Sequence, residues 1–319
     1  MDIDLGRIAD RHDIFLTRDA LDAGLTKRAL QRLVTDGTLH RVRHGAYTLT
    51  DVWEEMSPGG RHRLESYAAF RTARTEVALS HVSSIITWTD GWWDLPLEEV
   101  HLLRLDDRAG RREAGVQQHR GLVLPGDLDY TGGAVRTSAA RAAIETSALV
   151  DFERSLVVVN SLLHEKVLTE QHLSNQAVDM YLHPGTLALE LLLRECDARV
   201  ESVGETRTYC AVRGRGLPAP QPQFEVRGAR GDLVARLDFA WPELGVWLEF
   251  DGRVKYQKYL LPGESVIDAV LREKTRENRV SSLTGWICVR VDWKDLDHPE
   301  RLVARIREAI ALVAQRRAA

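Results

Sequence analysis

Between Leu5 and Leu49, short runs of apolar residues at helical spacing alternate with polar turns. Leu5, Ile8 and Ala9 share one helical face, Thr17 and Thr26 stand where N-caps belong, and Gly24 and Gly37 stand where helices stop. In the stretch KRALQRLVTD that follows Thr26, Ala29, Leu30, Leu33 and Val34 fall on one face, leaving Lys27, Arg28, Gln31 and Arg32 towards solvent. Residues 39–43 and 46–49 then alternate as two strands around His44 and Gly45. Three short helices followed by a hairpin outline a winged helix-turn-helix over residues 1–50, its wing carrying His40, Arg41, Arg43 and His44.

The middle of the chain, residues 51–185, has a mixed pattern. A helix is expected over 61–74, strands over 99–105 and 116–123, helical structure from Ser138 to His164 and a further helix from Thr169, which together describe an α+β unit. Ser80 and His81 invite a nucleophile-and-base reading, but a triad is defined by geometry rather than adjacency, and His81 reads more simply as the first residue of a helix. Trp88, Trp92 and Trp93 have the rings to stack nucleic-acid bases, or equally to pack a core.

Residues 186–319 return to a sharper pattern. In RGDLVARLDFAWPELGVWLEFDG two alternating strands meet at a turn spanning Pro242 to Gly245. Alternation places Leu237 and Phe239 on one face, with Arg236, Asp238 and Ala240 on the other; in the second strand Val246, Leu248 and Phe250 oppose Trp247, Glu249 and Asp251. A symmetric turn pairs Ala240 with Trp247 and therefore Asp238 with Glu249, and Asp251 lies two residues further on the same side. Adjacent carboxylates repel, so such a face is either solvated or holds a hard cation such as Mg2+ or Mn2+. The helix after Gly263 carries Ile267, Val270 and Leu271 on a stripe whose continuation reaches Lys274, an ammonium that this reading aims at the sheet. A strand over 286–291 and a helix over 299–315 complete the order of a restriction-endonuclease-like core.

Composition narrows the partners. A net charge of −4 lacks the basic excess of a histone, so nucleic-acid contact requires a local patch; residues 24–45 supply one, with five Lys or Arg against the single Asp36. Cys196, Cys210 and Cys288 are odd in number and never two residues apart, which speaks against a disulfide framework or a zinc ribbon. The acidic start and the lack of a long apolar run predict a soluble cytoplasmic protein with no membrane partner.

The motifs also carry resemblances. Residues 20–49 are similar to the winged-helix domain of AbiEi-type antitoxins, and the middle unit resembles the rest of that antitoxin more weakly. The segments GLPAPQPQF, RLDFAWPE, WLEFDGRVKY, REKTRENR and GWICVRVDWKDL, in that order, resemble the very-short-patch-repair-like branch of the PD-(D/E)XK nuclease superfamily. The second resemblance implies metal ligation by Asp238 and Glu249. Glu205 matches the glutamate of the first helix, though Ser202 to Glu205 also reads as a capping box. Asp251 stands where the superfamily usually has lysine, and Lys274 or Lys255 is the replacement. The expectation is a Mg2+- or Mn2+-dependent endonuclease, possessing catalytic Asp238, Glu249, Asp251, Lys274 and Glu205, brought to double-stranded DNA by Lys27, Arg28, Arg32, Arg41 and Arg43 and serving defence against foreign DNA. Its rival is an AbiEi-type antitoxin or transcriptional regulator with an inactive nuclease-fold domain, whose partner is a cognate toxin or a second copy of itself. An RNA-directed nuclease would use the same metal and phosphate chemistry.

Overall fold

The structure, a computed structural model, describes residues 6, 8–10, 12–181, 189–252 and 265–318, with the backbone alone at 266, 267, 269 and 270. The chain divides into two compact units, Met1–Glu195 and Cys196–Ala319. It is a mixed α/β protein with several sheets. No helix among the described residues is long and apolar enough to cross a membrane.

The first unit opens with β1 (Phe15–Leu16), α1 (Thr17–Asp22) and α2 (Lys27–Thr35), followed by the hairpin β2 (Leu39–Arg43) and β3 (Ala46–Leu49). The Thr26 hydroxyl accepts from the Ala29 amide at 3.1 Å, satisfying a donor that the start of α2 leaves bare. Gly24 and Gly37, at φ +92° and +82°, end the two helices in a conformation that side chains resist. Thr17, expected as a cap, is instead the first residue of α1; Leu16 takes the cap position and its amide donates to the Asp19 carboxylate at 2.8 Å. β1 adds to the hairpin in the order β1-β3-β2, and Phe15, Ala20, Leu30 and Leu39 bury the small core beneath it. Of the first expected helix, Leu5 lies outside the described residues and Ile8 and Ala9 fall in a turn, so among the described residues two helices rather than three precede the hairpin.

The unit continues through α3 (Thr50–Glu55), α4 (Pro58–Thr72), β4 (Val77–Leu79), α5 (His81–Trp88), β5 (Val100–Arg104), β6 (Arg112–Glu113) and β7 (Val116–His119). After these come β8 (Leu128–Asp129), β9 (Arg136–Thr137), α6 (Ala139–Ser147), α7 (Phe152–His164), α8 (Glu170–Asp179) and α9 (Leu189–Glu195). Ser138 and Thr169 cap α6 and α8, while Asp151 starts α7 and splits the helical region expected over 138–164 in two. The sheet runs β6-β7-β5-β4-β9-β8 and mixes parallel with antiparallel pairs. Ile14, Leu16 and Ala46 share a core with Leu64, Tyr67, Leu102 and Val116, so apolar burial joins the winged helix to this sheet. Arg71 of α4 reinforces the joint, meeting Asp10 at 2.6 Å and Asp19 at 2.8 Å.

The second unit contains α10 (Val203–Val212), β10 (Gln221–Arg227), β11 (Leu233–Trp241), β12 (Val246–Phe250), α11 (Val266–Thr284), β13 (Ile287–Val291), α12 (Trp293–Leu296) and α13 (Pro299–Ala318). β10 to β12 are antiparallel, and the crossover through α11 returns β13 parallel to β12. One sheet face buries Phe239, Trp241, Leu248 and Val291 against Leu302 and Ile306 of α13, while the other buries Ala235, Leu237, Ala240 and Trp247 with Val280 of α11. Gly204 lets α10 lie on β12, since a Cβ there would come within 2.0 Å of the Phe250 ring.

Candidate functional site

The basic face of the winged helix is built by two elements. Thr26 fixes the start of α2, and the apolar stripe turned into the core leaves Lys27, Arg28, Gln31 and Arg32 exposed along the opposite side. Arg41 and His44 of the wing are exposed as well. Arg43 departs from the expectation that all five cations share this surface. The β2–β3 register slips between His40 and Arg43, and the bulge changes which side the end of the strand presents. Arg43 is half-buried, where burial lowers its pKa and the Glu65 carboxylate raises it. It lies within electrostatic reach of Glu65 of α4. His40 stacks on Trp53 at 4.2 Å, and burial holds its pKa below the usual value.

In the second unit Ala240 pairs with Trp247 and Phe239 with Leu248, the register expected from the turn. The face assignment is corrected at Asp238. Leu237 packs with Ala240 and Trp247, whereas Phe239 packs on the other side, so alternation breaks between them. Opposite this break Gln223 adopts φ +51°. The Asp238 carboxylate accepts the Phe250 amide at 2.7 Å, which places it beside β12 at the end of the paired residues. Glu249 is buried on the α11 face and meets the Arg276 guanidinium at 3.0 Å. Asp251 lies 3.9 Å from Arg290, which is held more closely by Glu273 at 3.0 Å and Glu277 at 2.8 Å.

Lys274 is exposed, contrary to the expected aim at the sheet. The residues of α11 that reach inward are Arg276, Glu277 and Val280, because the buried face of this helix is set by its contact with Trp247 and Leu237 rather than by continuing the stripe through Leu271, which is itself exposed. Lys255 lies outside the described residues. Ser202 caps α10 by accepting the Glu205 amide at 3.2 Å, but the reciprocal half of the expected capping box is replaced: the Glu205 carboxylate accepts from the Ser202 hydroxyl at 2.8 Å, the Glu201 amide at 3.0 Å and Gln223 at 2.8 Å. Among the described residues, the acidic side chains of this unit do not bring three ligand atoms within 4.8 Å of one another.

A different group of titratable side chains does converge, in the first unit. His81, His101 and His119 each place a ligand atom within 4.8 Å of the others. Sequence spacing gave no sign of it, because the rings come from a helix start and two parallel strands. The one visible trace was Ser80-His81. Those side chains do meet, Ser80 Oγ and His81 Nδ1 lying 3.0 Å apart, but Glu145 stands 3.7 Å from the same nitrogen. A nucleophile and an orienting acid belong on opposite nitrogens, and Ser80 is wholly buried, so no Ser-His-Glu triad is formed. Two tryptophans of the run have packing partners: Arg136 lies 3.4 Å over the Trp88 ring, the Trp88 Nε1 donates to the Thr137 carbonyl, and Trp92 fills the space beside Gly59; Arg154 stands 5.6 Å from the Trp93 ring.

Comparison with known proteins bears on the basic face. Residues 7–50 match a family described as a transcriptional regulator, AbiEi antitoxin. The chain is also similar to uncharacterized proteins from two strains of Mycobacterium tuberculosis, each 25% identical over 283 residues that cover 88% of this chain and 96% of the relative.

Proposed function

We propose that the protein is a DNA-binding regulator of the AbiEi antitoxin type, docking on duplex DNA through α2 and the wing. The observation that carries this reading is the exposed set Lys27, Arg28, Arg32 and Arg41, presented by a capped helix and a hairpin within the matched segment. Guanidinium and ammonium groups on such a surface neutralise phosphates, while Gln31 is of a type to read base edges in the major groove. A cognate toxin or a second copy of the chain is the protein partner that this reading calls for. The wing separates two kinds of arginine. Arg41→Ala should reduce the slope of log affinity against log salt by about one unit, whereas Arg43→Ala should leave the slope unchanged and lower the melting temperature. Equal slopes for wild type and Arg41→Ala would contradict the proposed docking.

The element order of the second unit supports a nuclease-like fold that serves this regulator as a scaffold or binding unit. The fit to a hard divalent cation is poor as the side chains stand, because Glu249 already faces a guanidinium and Asp238 holds a backbone amide. A second reading, metal-dependent DNA hydrolysis, is favoured by one observation: the β11–β12 register that brings Asp238 alongside β12 near Glu249. It requires Arg276 to release Glu249 when Mg2+ or Mn2+ binds. Incubating wild-type protein with supercoiled plasmid, with either metal and with EDTA, separates the two. The regulator reading predicts intact plasmid throughout; metal-dependent nicking that disappears in Asp238→Ala would favour the nuclease.

A further inference from the structure

The histidine cluster has the chemistry of a transition-metal centre. His81 opens α5, His101 lies on β5 and His119 ends β7. The parallel register aligns Leu103 with His119 and His101 with Gln117, so His101 and His119 share a sheet face, and their Nδ1 and Nε2 atoms are 2.8 Å apart. His81 stacks on His119 with centroids 3.9 Å apart. Burial and the neighbouring His119 hold the pKa of His101 to about 4. A fourth ring, His62, is excluded from the set because both its nitrogens are engaged, with the Leu97 carbonyl and the Ser83 hydroxyl, each at 2.9 Å.

Three features around the rings go beyond packing. His81 adopts φ +50° at the first position of a helix, a left-handed conformation that side chains resist and that persists only where the surroundings impose it. Glu145 imposes it, accepting the His81 amide at 3.1 Å, and is itself fixed by Arg141 at 2.8 Å. A buried carboxylate beside an imidazole is the usual device for orienting a metal-bound histidine. His81, His119 and Glu145 also line a cavity of about 890 Å³, which supplies an entry path and room for an exchangeable ligand.

We propose that His81, His101 and His119 form a site for a zinc-class divalent transition metal at the wall of this cavity, with Glu145 as the positioning residue for His81. Three imidazole ligands with no thiolate and one open position suit Zn2+, Co2+ or Ni2+ and disfavour Mg2+ and Ca2+. The ring planes lie within 28° of parallel, so coordination turns at least one ring until the lone pairs converge. The donor ring of the N–H···N contact between His101 and His119 passes that proton through solvent to its own other nitrogen, and the two lone pairs so exposed form metal–nitrogen bonds of roughly 2.0–2.1 Å.

The test uses the tag-free full chain, stripped with chelator and titrated with Co2+, whose d–d absorption reports a low-coordinate nitrogen site, and then with Zn2+ by calorimetry. One equivalent should bind, Zn2+ should displace Co2+, and Mg2+ should not. His119→Gln should abolish the saturable signal, and Glu145→Gln should weaken Zn2+ binding by roughly 10–100-fold. Metal-free melting curves establish that each variant is folded, and His101→Gln replaces any variant that is not. Absence of saturable Co2+ and Zn2+ binding by wild type, or wild-type binding by folded His119→Gln and His101→Gln, would overturn the proposal. No DNA enters the assay, so its outcome is independent of the regulator reading.

Discussion

Replacing Lys27, Arg28 and Arg32 together by alanine should weaken duplex binding by the full chain roughly a hundredfold at physiological salt, because each phosphate contact contributes about 0.9 to the slope of log affinity against log salt. The same variant should lose nearly three units of that slope. Its fold should survive. All three side chains are exposed, the N-cap Thr26 and the buried Leu30 are untouched, and alanine is the strongest helix former. Fluorescence anisotropy against a salt series reads both quantities, and circular dichroism checks the helix. Loss of affinity without loss of slope would point to damaged packing rather than lost phosphate contacts.

Arg141→Ala should produce the largest loss of stability in the first unit. Arg141 is 2% exposed, and its guanidinium lies between the buried carboxylates of Asp127, at 2.5 Å, and Glu145, at 2.8 Å, while also donating to the Leu122 carbonyl at 2.7 Å. Removing it leaves two carboxylates in a low-dielectric interior with their cation gone, which costs on the order of 3–5 kcal/mol. For a unit of this size that lowers the melting temperature by roughly 10 °C. Scanning calorimetry should show it, and Glu145→Gln, which keeps the shape and removes one charge, should lose less. A melting temperature within a degree or two of wild type would show that the network contributes little.

The winged helix was legible because its signals are local. Thr26, Gly24, Gly37 and the stripe of Ala29, Leu30, Leu33 and Val34 specify α2 without reference to distant contacts. The β11–β12 hairpin was legible for the same reason: a short turn fixes register, and Ala240 meets Trp247 as the arithmetic required. Where the reading departed from the structure, nonlocal geometry decided. A bulge in the wing withdrew Arg43, a break in alternation at Asp238 put Leu237 and Phe239 on opposite faces, and the docking of α11 presented Arg276 instead of Lys274. Nothing in the spacing of His81, His101 and His119 announces their convergence, which depends on the parallel pairing of β5 with β7 and the position of α5 above them.

The central claim, that the exposed cations of α2 and the wing make this protein a duplex-DNA-binding regulator, is tested most directly by the salt dependence of wild-type binding. Affinity for a duplex should be measured in EDTA across a salt series. Four phosphate contacts from Lys27, Arg28, Arg32 and Arg41 predict a straight line of log affinity against log salt with a slope of about −3.6. Binding that ignores salt, or no binding at low salt, would contradict it.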